Sequence, residues 1–408
     1  MKNFKLILNL VMVVSSFMFF QCTSEYTPIA GIDGKDGVDG INGSDADAAL
    51  CIQCHSSTHR DPIVNAYASS GHATGGSWRR GLSPGCAQCH SNEGYIDYLS
   101  GIYFETDTSG DSNEYLLDEA GVPVVDDNGT PGDPSDDFYV LNPDYNPDYG
   151  KALVDVNGDR IPMPNPAGYA TVSPINCTGC HDAHRSFNFS VDGNDYALRN
   201  IDPVKLVLDP TVHIDLANSS DALGLSNACV TCHQPRPSYP IPTGTEDYTI
   251  TSSRFGPHYG PQSTLFEGIM GANIAGSTAY PGTGANGDNG HRKGTSCIGC
   301  HMGESTVATE GGHTWAPSVD ACVTCHTSMT VLPEATTSYA TNFPILKQLL
   351  IDKGYILENN NVVPGTYPAK DAQVIWNYRT LYGDHSKGIH NPKYIDALLK
   401  NSIEYLQQ

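Results

Sequence analysis

Asn227–Arg236 reads NACVTCHQPR, which sets Cys229, Cys232 and His233 in the order Cys-x-x-Cys-His. One copy of this pattern is ambiguous. Zinc uses paired cysteines, but it needs a second pair or distant histidines to reach four ligands. A redox Cys-x-x-Cys sits alone, at a helix start near a βαβ pattern. Here the pattern recurs as CIQCH (Cys51, Cys54, His55), CAQCH (Cys86, Cys89, His90) and CTGCH (Cys177, Cys180, His181). It recurs again as CIGCH (Cys297, Cys300, His301) and CVTCH (Cys322, Cys325, His326). The six copies take twelve of the thirteen cysteines, and each has His immediately after it. Zinc and disulfide chemistry place no demand on that position. Covalent haem attachment does: the two thiols add to the haem vinyl groups, and the adjacent His is held close enough to ligate the iron. The sequence therefore predicts six haem c groups, attached at these twelve cysteines, with the motif histidines as proximal ligands.

The composition agrees with such a cofactor-rich chain. Hydrophobic residues are 39% of the 408, and the chain carries 41 Gly and 27 Pro. That is below the usual apolar share, and few long amphipathic runs precede residue 340. Apolar burial of this kind would struggle to offset conformational entropy; large flat haems would supply what is missing. The expected fold is mostly irregular, with short α-helices packed around a chain of covalent haems, little β-sheet and a helical C-terminal region. There, FPILKQLLIDKG has helical spacing and stops at Gly354. AKDAQVIWNYRTLY continues the pattern, and NPKYIDALLKNSIEYL offers Asn391 as N-cap with Pro392 at the first helical position. The net charge is −23 with only 22 Lys and Arg. No basic face is present to meet phosphates, which excludes nucleic acid, and the acidic surface would steer cationic partners.

Residues 1–21 read as an export signal: Lys2 and Lys5, then an apolar stretch from Leu6 to Phe20, shorter than the roughly 20 residues that span a bilayer. Cys22, the one cysteine outside the motifs, follows at once. The arrangement resembles a bacterial lipoprotein signal, with Cys22 as the lipidated residue, although Gln21 stands where such signals carry a small residue. The alternative is an ordinary signal peptide followed by a stray cysteine. The expected location is the periplasmic or outer face of the outer membrane or the cell surface. Residues 22–47 repeat Gly at 31, 34, 37, 40 and 43. Without proline this makes a poor triple helix, so a flexible tether is expected, with a trimerising element as the alternative. Residues 48–408 form the hexahaem region, with an acidic insertion at about 100–170. Within it, Asp155, Asn157 and Asp159 resemble part of a calcium loop, but the closing Glu is absent; a solvated loop is the simpler reading.

Fifteen histidines are present, and nine lie outside the motifs. Full bis-histidine ligation needs six of these. His72, His258, His313 and His390 are each near Gly, which lets backbone approach a flat ring. His184 follows His181 too closely to cap the same iron and would serve a neighbouring haem. His291 lies just upstream of Cys297. These six are the expected distal ligands, with His59, His213 and His385 in reserve.

With the six motifs, GPHYGPQ, GGHTW and the ending DHSKGIHNPKYIDALL in view, the chain resembles exported bacterial multihaem c-type cytochromes. The ending is also similar to the C-terminal part of ammonia-forming nitrite reductases. That resemblance implies that His390, in the His-Asn-Pro element, is an axial ligand. Those enzymes commonly carry Lys in place of one motif His, and none of the six sites here does. The resemblance implies an electron carrier, not an enzyme, passing electrons between a membrane donor and an extracytoplasmic acceptor through redox partner proteins. Two alternatives remain: a reductase of small nitrogen or sulfur oxyanions at one open iron, and a subunit that self-associates into a conductive filament.

Overall fold

A computed structural model describes residues 48–100, 115–118, 122–126, 138–144, 168–184, 194–236 and 239–408. The export signal, Cys22, the glycine tether and the Asp155–Asp159 turn lie outside the described residues. The chain divides into compact units Met1–Gln53 and Cys54–Gln408.

The described chain is mostly helical and irregular, with little sheet. Six short strands form three separate two-stranded antiparallel ladders: β1 (Val125–Asp126) with β2 (Phe138–Tyr139), β3 (Val204–Lys205) with β4 (His213–Ile214), and β5 (Tyr248–Ile250) with β6 (Gly365–Tyr367). Helices before residue 330 are mostly short. They are α1 (Ala48–His55), α2 (Ser57–Ser69), α3 (Gly71–Thr74), α4 (Pro84–His90), α5 (Asn92–Leu99), α6 (Cys177–Cys180), α7 (Asn227–Val230), α8 (Gln262–Glu267), α9 (Gly290–Gly294), α10 (Cys297–His301) and α11 (Val319–Val323). Helices of one turn cannot sustain themselves in water, so side-chain caps and neighbours hold them. Ser70 caps α3 by accepting from Ala73 N at 3.2 Å, Asn176 caps α6 through Thr178 N at 3.0 Å, and Ser318 caps α11 through Ala321 N at 3.0 Å. Each such cap stabilises by about 1 kcal/mol.

The C-terminal region follows its periodicity. Helices α12 (Thr337–Asp352), α13 (Ala369–Asp384) and α14 (Pro392–Leu406) are the long regular elements. Thr336 caps α12, and Asn391 caps α14 with Pro392 at the first position. The chain leaves α12 through Gly354 at φ 73°. These helices close a conventional apolar core with Phe255, Leu265, Trp376, Tyr378, Tyr394 and Leu398 fully buried. Composition alone argued against such a core; the apolar residues are concentrated here instead of being spread along the chain. The core reaches back to residues 250–274 by hydrogen bonds. Trp376 Nε1 donates to the Met270 carbonyl at 2.8 Å, and Asn377 exchanges two bonds with the Ala272 backbone at 2.7 and 2.8 Å. A second cluster, of Val204, Leu206, Ile214, Leu216, Val230 and Phe266, packs against Cys297.

Candidate functional site

The six Cys-x-x-Cys-His segments, numbered I–VI in chain order, each carry helical turns that project the two sulfurs and the histidine from one short stretch. Their histidines meet others in pairs. Ring centroids are 6.2 Å apart for His55–His184, His90–His258 and His181–His313. They are 6.3 Å apart for His233–His72 and His301–His390, and 6.1 Å for His326–His291. Every motif histidine thus has one partner, and the partners are the six expected distal histidines. The reserves stand apart. His59 and His213 are exposed, and His385 stacks on Tyr259 at 6.0 Å.

Edge-to-face contact alone can bring two rings to such distances. The uniformity argues for something more: other aromatic pairs among the described residues range from 4.5 to 6.3 Å, whereas all six His pairs fall between 6.1 and 6.3 Å. Two metal–imidazole bonds of about 2.0–2.1 Å, with each ring centre standing roughly 1 Å behind its nitrogen, sum to about 6 Å. The donor set therefore fits a metal held between two imidazoles. It does not fit zinc, which needs four ligands: among the described residues no three His, Cys, Asp or Glu side chains converge on one point. The twelve motif cysteines are unpaired thiols. Burial pushes Cys180 up to about 12. The Cys229 thiol is raised by its hydrogen bond with Cys297 and by burial, and Cys232 in the same way by Cys89. A redox-active thiol pair needs the opposite shift.

Six of the paired imidazoles are shifted toward the neutral form. Burial pushes His233 down to about 4, and burial with the Arg236 charge does the same to His258. His72, His90, His301 and His313 are also lowered, chiefly by burial. Neutral imidazole is the ligating form. Several rings are held through Nδ1: His181 to the Tyr196 carbonyl at 2.7 Å, His291 to the Ile389 carbonyl at 2.7 Å and His301 to the Trp315 carbonyl at 2.9 Å. A carbonyl only accepts, so Nδ1 carries the proton and Nε2 is left to face a metal. At His390, burial alone would lower the pKa; the Asp384 carboxylate, 2.6 Å from Nδ1, overrides it and raises it.

Neighbouring sites are clamped together. His184, the partner at site I, lies three residues beyond His181 of site III. Asn92, which follows site II, accepts from Asn176 N and donates to Thr178 Oγ1 at site III, both at 3.1 Å. The Cys232 thiol reaches the Gln88 carbonyl at 3.5 Å and Arg236 reaches Cys86 Sγ at 3.7 Å, joining sites II and IV. A Cβ at Gly260 would lie 2.2 Å from the Gln234 carbonyl, so glycine there lets the His258 segment seat beside site IV. Ser226 Oγ accepts from Ile298 N at 3.2 Å, and Asp221 bonds both Ser226 N at 2.9 Å and Ser296 Oγ at 3.2 Å, joining IV to V. Between V and VI, Asp320 accepts from Thr306 N at 2.8 Å, while His291, the partner at VI, sits just before the site V cysteines.

Three residues that sequence reasoning did not single out complete the arrangement. The Trp315 ring packs edge-on against His72 at 4.5 Å and His313 at 5.4 Å, while its carbonyl holds His301. One residue thus touches a paired histidine of each of sites III, IV and V. It does so at φ 54°, a conformation that costs a bulky side chain about 1–3 kcal/mol and persists only where its surroundings dictate it. Arg292, beside His291, forms a buried ion pair with Glu267. Asp384 holds His390. A Gly-Gly-His-Thr-Trp stretch offers no local signal for a left-handed tryptophan, and Asp384 lies six residues from its histidine.

In comparisons with known proteins, no family model matches the chain, no curated protein matches it and no solved structure matches it. No helix among the described residues is long and apolar enough to cross a membrane.

Proposed function

We propose that this is an exported electron-transfer protein with six covalent haem c groups. The observation that carries the reading is the pairing of every motif histidine with one histidine of the same chain at 6.1–6.3 Å. When bound, haem supplies a one-electron couple at each site, and an iron with both axial positions filled transfers electrons without binding substrate. The chain's own part is to tether each group through two thiols, present two imidazoles, four of the twelve held through Nδ1, and keep the inner sites packed. A reductase reading needs a motif histidine without a partner, and a filament reading needs a histidine lent by the next subunit. The six internal pairs favour the carrier over both.

The clamps suggest an order that differs from the sequence. The clamps run I, III, II, IV, V and VI, and the Trp315 ring adds a direct bridge between the histidines of III and IV. Site I, with Cys54 and His55 exposed, and site VI, with Cys325 and His326 exposed, are the ends at which a membrane donor and an extracytoplasmic acceptor would dock. The acidic chain suits cationic docking faces on those partners. Lipidation at Cys22 would keep the protein at the outer membrane or cell surface. The test is low-temperature EPR of the oxidised protein with haem quantified alongside. Six haems, all low-spin, are expected; a stoichiometric high-spin signal would overturn the carrier in favour of an enzyme.

A further inference from the structure

Asp384 is the last residue of α13, and its side chain is 1% exposed. Oδ1 lies 2.6 Å from His390 Nδ1. Oδ2 accepts from the Ser386 hydroxyl, and Ser386 Oγ in turn accepts from the His390 backbone N–H at 3.3 Å. The carboxylate is thus fixed at both oxygens against one imidazole. The opposite ring of the pair, His301, donates its Nδ1 proton to the Trp315 carbonyl. At site V both rings are therefore held by acceptors, one of them a buried anion. At sites III and VI the acceptors of His181 and His291 are neutral carbonyls, and at site I the Asp195 carboxylate stands farther off, 3.8 Å from His184 Nδ1 against 2.6 Å at site V.

A carboxylate accepting from Nδ1–H moves the imidazole toward imidazolate and makes it a more basic ligand. A more basic ligand favours the oxidised, more positive metal. Burial keeps the carboxylate's charge from being screened by water. Resting on the six-haem reading above, we infer that Asp384 makes site V the lowest-potential step of the array, acting as a positioning residue through His390. Site V lies between IV and VI in the clamped series. Electrons pass from the I–IV group to VI only over this uphill step, so Asp384 sets the rate across the middle of the molecule.

The test is a spectroelectrochemical titration of the full-length, haem-loaded protein, followed by EPR. Asp384→Asn keeps the shape and removes the charge. It is expected to raise the lowest midpoint by at least a tenfold change in the oxidised-to-reduced equilibrium, about 59 mV for one electron, and to leave the other five in place. Asp384→Glu is expected to keep that step low. Six unchanged midpoints in Asp384→Asn, or movement of a step other than the lowest, would overturn the inference. If Asp384→Asn loses haem, Ser386→Ala carries the test: it removes the hydroxyl that donates to Oδ2, leaves the carboxylate a stronger acceptor from His390 Nδ1 and should lower the same step further, and an unmoved or raised step overturns the inference. A parent protein with fewer than six haems or a high-spin iron would instead remove the array reading itself.

Discussion

Residues 48–330 and residues 337–408 solve the folding problem in opposite ways. The described residues of the first region consist largely of short helices, left-handed corners and polar clamps, with Ile52, Val64, Leu82 and Val307 exposed. The second has three helices of 15 or 16 residues around side chains such as Trp376, Tyr378 and Leu398 with no exposed surface. Burying one such side chain stabilises by about 1.5–3 kcal/mol, which the short helices have few means to match. The difference indicates that the C-terminal core is an apolar scaffold in its own right; on the proposed six-haem reading, the motif region would owe its order to the groups bound there. The two meet where the core supplies functional groups: His390 and Asp384 border α13 and α14. A row of rings, Phe343, Tyr378, Tyr382 and Tyr259, runs from the core to His258 in steps of 5.1 to 6.3 Å.

The sharpest way to break that comparison is to prevent haem attachment, for example by production where the maturation machinery is absent. Hydrogen exchange of the resulting chain is expected to show protection confined to about residues 337–408 and the 250–274 segment bonded to them, with 48–235 exchanging at once. Equal protection throughout would mean that the motif region folds on its own. A smaller disturbance comes from within the core. Trp376→Ala removes a fully buried ring and its bond to Met270 and should cost about 3–5 kcal/mol in denaturant unfolding. Because the core frames His390, the same variant should loosen site V before sites I to III, visible as loss of one low-spin EPR component on mild heating. Glu267→Gln leaves Arg292 buried without its counter-charge, a change that costs about 3–5 kcal/mol in such pairs; the site losing order should be VI, whose His291 adjoins Arg292.

Much of this was legible in the chain because the relevant chemistry is local. Cys-x-x-Cys-His is read within five residues, and the six distal histidines follow from ligand demand and neighbouring glycines. Helices α12 to α14 follow from 3.6-residue periodicity, down to the Asn391 cap. The illegible parts are non-local. Which distal histidine meets which motif depends on chain reversals: His72 pairs with His233, and His181 with His313, across more than a hundred residues. The core joining Phe255 to Trp376 was hidden because composition averages over 408 residues while the apolar residues cluster at one end. The order of sites rests on single polar side chains, Asn92, Asp221 and Ser226, which in sequence look like ordinary turn residues.

The finest test concerns how the two histidine environments differ inside the motif region. His184 at site I meets the exposed His55, whereas His72 at site IV meets His233 and also packs edge-on against the Trp315 ring at 4.5 Å. His184→Ala is expected to convert one haem to high-spin with little loss of stability. His72→Ala should produce the same signal with a clear drop in the unfolding midpoint, because the Trp315 ring loses its nearest neighbour. Trp315→Phe separates packing from ligation: all twelve imidazoles and the carbonyl to His301 remain, and only the outer ring of the indole is lost. The expected result is six low-spin haems with altered g-values at two of them, sites III and IV, since axial ring orientation at those sites leans on the indole. An EPR spectrum identical to the parent would mean that His72 and His313 are oriented by their own loops and that Trp315 is only filler. A change at site V as well would mean that the left-handed backbone of Trp315, and not its ring, is what ties the three sites together.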